Sequence, residues 1–418
     1  MITPAIVIIK VLFDKVKVFS IITSNYLLYM RHIRHLKKAI GYLSSMMLLG
    51  VALNACNTPP GSPQTERKQK SSSEPRKIIY ILNALWPGMQ AFDKLRELLS
   101  TALESEGLNI EVRSLNTAPR ATSEQSITQQ ATEALEKIKQ EVNEESHEII
   151  LIGHSQGGLR GAKMLFLNEQ EGRSLPIKGL ITLGTPWEGA PAASITKTSV
   201  QSFLQTRSVS YILAGATYMY PTTTELTNDS SMHILFDQYF PTHEPGVEDM
   251  VPNSGFLQDL ASNLAHNATP ILAIAGDNGN VEGYIDYDAD EVQAYATYLK
   301  SIPSGCLNGV YARIFAGGWW MQHDMMVPLH SQLAYHVSKN DTFETYLVEG
   351  AIHDFLPGLS VPSESVIYNH VETIEQIIEF AKLQFGFKEK EEKGEETGEK
   401  EENGEKEGRQ IGGICCVS

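Results

Sequence analysis

His147-Glu148-Ile149-Ile150-Leu151-Ile152-Gly153-His154-Ser155-Gln156-Gly157-Gly158 is the stretch on which the reading of this 418-residue chain turns. Its apolar, β-branched run from His147 to Ile152 predicts a strand buried on both faces. Helix-forming residues follow from Gln156 to Leu167. Between them stands a serine with glycine two residues before it and two after. A serine lifted above a sheet on a tight strand-to-helix turn crowds those two positions, so glycine suits both. Ser155 is therefore a candidate nucleophile, and the backbone N–H of Gln156 a candidate oxyanion donor.

Outward from this stretch, strands and helices alternate. Lys77–Leu82 predicts a strand, and apolar spacing through Phe92, Leu95, Leu99 and Leu103 predicts a helix. Asn109–Leu115 and Ile177–Leu183 predict further strands, with a helical stripe through Ile127, Ala131, Leu135 and Ile138. Pro270–Ala275 and Thr345–Glu349 complete the strands, and Ser363–Phe385 predicts a closing helix. Such alternation means βαβ units: an α/β fold with a mostly parallel sheet flanked by helices. Two stretches break the rhythm, 187–269 and 278–322. The first is rich in large apolar residues, among them Phe203, Leu204, Tyr211, Ile212, Phe236 and Phe240, and reads as a lid or cap insertion over Ser155.

On these residues the chain resembles the α/β-hydrolases, within them the lipase-like group, over roughly residues 77–386. Gly153-His154-Ser155-Gln156-Gly157-Gly158 is similar to their nucleophile turn. Leu183-Gly184-Thr185-Pro186-Trp187-Glu188-Gly189 resembles the segment after their next strand. Asp324-Met325-Met326-Val327-Pro328 resembles the segment that carries the acid, and His353 follows the last strand, where their histidine stands. The order Ser155, Asp324, His353 is the order this fold uses. The resemblance implies a serine hydrolase that cleaves carboxylic esters, of lipid or fatty-acyl type, through an acyl-enzyme and without a cofactor. It also implies a second oxyanion donor after the first strand, the Leu85 N–H in Asn83-Ala84-Leu85-Trp86-Pro87-Gly88.

Each role has rivals. Asp277, directly after the Pro270–Ala275 strand, is the alternative acid; Asp324 is preferred because a Val-Pro pair follows it. His154, His323, His330 and His370 compete with His353, which alone follows a strand on a loop. Asp286, Asp288 and Asp290 alternate like calcium ligands, but Glu291 and Thr297 stand where that loop needs glycine and glutamate, so no metal is expected. Trp319 and Trp320 are expected in the core. A GPI inositol-deacylase-like enzyme and a palmitoyl-type thioesterase are the rivals within the fold. A non-catalytic surface lipoprotein that binds through the same fold is the rival outside it.

The ends read as address labels. Residues 1–55 carry +6 and residues 388–409 carry −4, which leaves −18 for the body of a chain of net charge −16. A body so acidic repels phosphate backbones, so nucleic acid is not an expected partner. Residues 30–55 read as a lipoprotein signal peptide: Arg31, Arg34, Lys37 and Lys38, then an apolar run closing on Leu53-Asn54-Ala55-Cys56. That ending resembles the lipobox of bacterial lipoproteins, which implies lipidation at Cys56 and a membrane-anchored protein of the cell envelope. Residues 1–29 read as an upstream extension with translation starting at Met30. Residues 56–76 form a flexible tether and 388–418 a disordered charged tail. Cys415-Cys416-Val417-Ser418 fits a prenylation pattern, which requires export into a host cell. Cysteines 56, 306, 415 and 416 are too scattered for a disulfide framework or a zinc cluster.

Overall fold

The computed structural model describes residues 74–85, 89–115, 124–142, 146–194, 244–288, 300, 304–355 and 359–387. The signal, most of the tether, Cys56, the charged tail, residues 195–243 of the lid stretch, Trp86-Pro87-Gly88 and Asp290 lie outside the described residues.

The described elements run β1 (Arg76–Leu82), α1 (Met89–Ser105), β2 (Ile110–Leu115), α2 (Ile127–Glu141), β3 (His147–His154) and α3 (Gln156–Gln170). Then come β4 (Ile177–Leu183), α4 (Gly255–Leu264), β5 (Ile271–Gly276), α5 (Cys306–Phe315), β6 (Phe343–Val348) and α6 (Val371–Gln384). The six strands form one sheet in the order β2-β1-β3-β4-β5-β6, every pair parallel. This is the α/β-hydrolase fold: a parallel sheet with helices on both faces.

Alternation along each strand divides the core. Ile79 and Ile81 of β1 face a cluster with Leu95, Leu99 and Leu103 of α1 and Ile377 and Ala381 of α6. Ile78, Tyr80 and Leu82 face the opposite cluster with Leu135 and Ile138 of α2 and Leu159 and Leu165 of α3. Fully buried, each Ile or Leu contributes about 1.5–3 kcal/mol. Local signals set the ends of α2. Ser126 accepts from the Gln129 N–H while the Gln129 side chain accepts from the Ser126 N–H, a reciprocal cap worth about 1 kcal/mol.

The strand order reverses between β1 and β3, so the crevice beyond their carboxyl ends is where a ligand enters an open α/β sheet. Ser155 follows β3 there, and Ala84-Leu85 follows β1.

The ends of the lid stretch are anchored, and two expectations change. The stretch from Trp187 to Thr269 is built into the body at both ends. Trp187 is buried with its ring edge-on to Phe343, and Leu257, Leu260 and Leu264 of α4 pack in the cluster that holds α2 and α3. The 257, 260, 264 spacing after the cap Ser254, which accepts from the Leu257 N–H, was a helical signal inside the stretch. The closing helix starts at Val371 rather than Ser363. Val366 and Ile367 instead run extended beside Ile352, with the Ile352 N–H donating to the Ser365 carbonyl and the Ile367 N–H to that of Ile352. Trp320 is not core: it is 67% exposed at φ +59, its ring lying over Gly309, and Trp319 is 37% exposed. In the second irregular stretch, Glu282 organises the start of α5 by accepting from the Gly305 and Leu307 N–H groups. No helix among the described residues is long and apolar enough to cross a membrane.

Candidate active site

Ser155 stands between β3 and α3 with φ +54 and ψ −125, a backbone conformation that non-glycine residues rarely hold. Its N–H donates to the Leu183 carbonyl at 2.8 Å, and its own carbonyl accepts from the Gly158 N–H and the Thr185 hydroxyl. The side chain is half-buried and makes no capping bond to α3. Sterics maintain this turn. A Cβ on Gly153 would lie 2.4 Å from the Gly157 carbonyl carbon, and one on Gly157 would lie 2.6 Å from the Leu82 and Asn83 carbonyl oxygens. Both neighbours are backbone, which cannot swing aside, so only glycine fits.

His353 and Asp324 meet from two loops. His353 Nδ1 lies 2.7 Å from Asp324 Oδ2, and the His353 N–H donates to the Asp324 carbonyl at 2.8 Å. The other carboxylate oxygen accepts from the N–H groups of Met326 and Val327 at 3.0 and 2.7 Å. Three N–H donors therefore converge on a carboxylate with no solvent exposure. Nδ1 carries the proton, because its partner is an acceptor; Nε2 is left as the basic nitrogen. Burial alone pushes the His353 pKa down, but the Asp324 charge and hydrogen bond outweigh it, so the net shift is upward.

This pair lies against residues next to the serine turn. The ring of His154, the residue before the serine, is 4.7 Å from the His353 ring, and its Nε2–H donates to the His353 carbonyl at 3.0 Å. On the other side Gly184, next to the Leu183 carbonyl that holds Ser155, has φ +57. A Cβ there would fall 2.9 Å from His353 Nδ1 and 3.0 Å from Asp324 Oδ2. The glycine of the Leu183–Gly189 segment makes room for the pair.

Asp277 lies elsewhere: its Oδ1 accepts from the Gly350 N–H at 2.8 Å, joining the ends of β5 and β6. The competing histidines are also committed. His323 Nδ1 accepts from the Met325 N–H, His330 packs its ring on His336, and His370 sits at the N-terminus of α6. Burial drives the pKa of His154 down to about 4, so it is neutral. Gln156 is buried at the first turn of α3, and Leu85 is half-buried on the loop after β1. Asp286 accepts from the Asp288 N–H in an exposed turn.

Several supporting residues carried no sequence signal. Gln332, buried on a single helical turn, accepts from the Gly276 N–H and donates to the Val327 and Gly276 carbonyls, tying the acid loop to the end of β5. Ser331 donates to the Gly189 carbonyl and accepts from the Glu188 N–H, stitching the Leu183–Gly189 segment to the acid segment. Tyr368, fully buried, donates to Asp354 beside His353. Arg160, fully buried on α3, holds Asn83 and Gln156.

The chain is similar to the family model of palmitoyl protein thioesterase over residues 84–273. No curated protein matches the chain by sequence. Among solved structures it is similar to phospholipase PlaB of Legionella pneumophila, at 13% identity and TM-score 0.36, over 51% of this chain and 41% of that one. It is also similar to the lipase BlEst2 of Bacillus licheniformis, at 12% identity and TM-score 0.40, over 78% of this chain and 96% of that one. A metagenomic carboxyl esterase, MGS0156, matches at 11% identity and TM-score 0.42, over 79% of this chain and 80% of that one. The all-parallel sheet, the strained serine turn at the end of β3 and the match over residues 84–273 occur together in a chain whose fold is the α/β-hydrolase fold, of the esterase, lipase and thioesterase kind.

Proposed function

We propose that the protein hydrolyses carboxylic acyl esters or thioesters, with a long apolar acyl group, by acyl transfer to Ser155 and then to water. The observation that carries the proposal is the strained Ser155 turn flanked on both sides by residues that touch the His353–Asp324 pair. Ser155 Oγ attacks the acyl carbonyl and gives its proton to His353 Nε2. The backbone N–H groups of Gln156 and Leu85 receive the oxyanion, and Asp324 stabilises the imidazolium. The leaving oxygen or sulfur takes the proton back. Water then repeats the sequence on the acyl-enzyme and frees the acid.

The ester reading rests on the lipase-like motifs; the thioester reading is favoured by the palmitoyl protein thioesterase match over residues 84–273. The acyl preference rests on the large apolar residues of the 187–269 stretch. Cys56, in this proposal, is lipidated and anchors the domain to the envelope membrane where such substrates lie.

A fluorophosphonate probe tests the reading. Wild-type protein should label and Ser155→Ala should not, with turnover down by at least about a thousandfold. Full labelling of Ser155→Ala would move the nucleophile elsewhere and sink the mechanism, and an unlabelled wild type would leave a binding module. Acyl-CoA and p-nitrophenyl esters of two to sixteen carbons then separate thioester from ester. Acetyl groups as the best substrates would overturn the acyl preference.

A further inference from the structure

Arg160 is a guanidinium with no solvent exposure, one turn of α3 beyond Gln156. Its Nη1 donates to Asn83 Oδ1 at 2.9 Å and its Nη2 to Gln156 Oε1 at 3.3 Å. Gln156 in turn donates from Nε2 to the Gly246 carbonyl at 2.8 Å. The Gln156 amide is thus held at both ends, and its orientation follows from the partners, since Arg160 only donates and a carbonyl only accepts. Asn83 opens the loop after β1 that carries Leu85 two residues later, and its backbone presses on Gly157.

Burying a guanidinium costs several kcal/mol that an apolar residue would not, and here burial draws its pKa down to about 10. A side chain that only filled space between α3 and the sheet would not need a charge. Its forked donors reach the two places from which the proposed oxyanion hole is built: the loop after β1 and the residue after the nucleophile. Each of those elements moves freely with respect to the other in covalent terms, because 71 residues separate Leu85 from Gln156.

We propose that Arg160 is the positioning residue of the oxyanion hole, fixing the Leu85 loop against Gln156 so that both N–H groups meet one oxygen. This inference rests on the serine-hydrolase reading given above. The guanidinium does not touch the substrate. Its effect belongs to the transition state, where an oxyanion contact that is misplaced by about 1 Å loses up to a hundredfold in rate.

The experiment compares full-length wild type, Arg160→Met, Arg160→Lys, Asn83→Ala and the Arg160→Met/Asn83→Ala double variant on one ester. Arg160→Met should lower kcat about ten- to a hundredfold with KM within about twofold of wild type. Arg160→Lys, a single point donor, should recover part of the loss. Asn83→Ala should lower kcat in the same way, and the double variant should be no worse than Arg160→Met, because both break one link. Inhibition by a trifluoromethyl ketone, which forms the oxyanion, should weaken in parallel with kcat. A merely structural Arg160 would lower Tm while leaving kcat per labelled active site unchanged, and that result overturns the proposal. Additive losses in the double variant also overturn it. Should Arg160→Met fail to fold, Asn83→Ala at its half-buried position decides alone: unchanged kcat refutes the link. Loss of probe labelling by Ser155→Ala is scored separately, so failure of the hydrolase reading is distinguishable from failure of this one.

Discussion

Ser155 owes its turn to glycines beside it in the chain, whereas Asp324 and His353 are brought together from two loops 29 residues apart. Around the serine, Gly153, Gly157 and Gly158 permit a turn that any residue with a Cβ would block. The acid and the histidine depend on long-range partners. Gln332 bridges the acid loop to β5, Gly184 vacates the volume next to Nδ1, and His154 holds the His353 carbonyl. A local turn tolerates changes elsewhere in the molecule; a site assembled across loops does not. Substitutions outside the elbow should therefore damage the His353–Asp324 side first.

The sharpest break of this contrast separates the two carboxylates. Asp324→Asn should cost about 10⁴-fold in kcat, because an amide at that position stabilises the wrong histidine tautomer. Asp277→Asn keeps a side chain able to accept from the Gly350 N–H and should stay within about threefold. Steady-state kinetics on both variants checks this. A dead Asp277→Asn enzyme with an active Asp324→Asn enzyme would transfer the acid to the end of β5.

Gly184→Ala gives a smaller effect. The added methyl would sit 2.9 Å from His353 Nδ1 at a φ of +57. We expect a loss of about ten- to a hundredfold in kcat/KM from displacement of the imidazole. Stability should fall by about 1–2 kcal/mol, as for any residue with a Cβ held in the left-handed region. Circular dichroism melting and kinetics on the same sample separate the two losses. Normal kcat/KM in Gly184→Ala would mean that the pair is less tightly enclosed than the close approach indicates.

The two neighbouring histidines, His154 and His353, should respond to pH in opposite ways. His353 has a raised pKa and must be neutral to accept the serine proton, so kcat/KM should climb through a midpoint above 6.5. Its own contribution to stability is present below the unfolded value and is lost as pH rises through the folded one. His154 has its pKa lowered to about 4, so the folded state resists its protonation. Its contribution is present above about 6.5 and is lost as pH falls from there toward 4, by about 3 kcal/mol at most. Urea unfolding across pH 4 to 7 should show this slope, and His154→Gln should flatten it. An unchanged slope in that variant would place the acid sensitivity in another group.

Strand and helix order, the serine turn and the candidate order Ser155, Asp324, His353 were legible in the residues. Periodicity and glycine placement are properties of short windows, and they decide which local structure is sterically open. The helix Gly255–Leu264 was legible too, in its Ser254 cap and three leucines, but its apolar stripe was short. The extended run at Val366–Ile367 was not, because it is a pairing with Ile352, fourteen residues earlier, and not a local preference. Nor could spacing decide between Asp324 and Asp277 as the partner of His353. Both follow apolar segments with suitable chemistry, and only the packing of the acid loop on Gln332 brings one of them to Nδ1. Arg160 gave no signal for the same reason. A lone arginine on a helix reads as a surface residue until tertiary contacts bury it between Asn83 and Gln156, since burial and partnership are made between segments, by volume that no single segment contains.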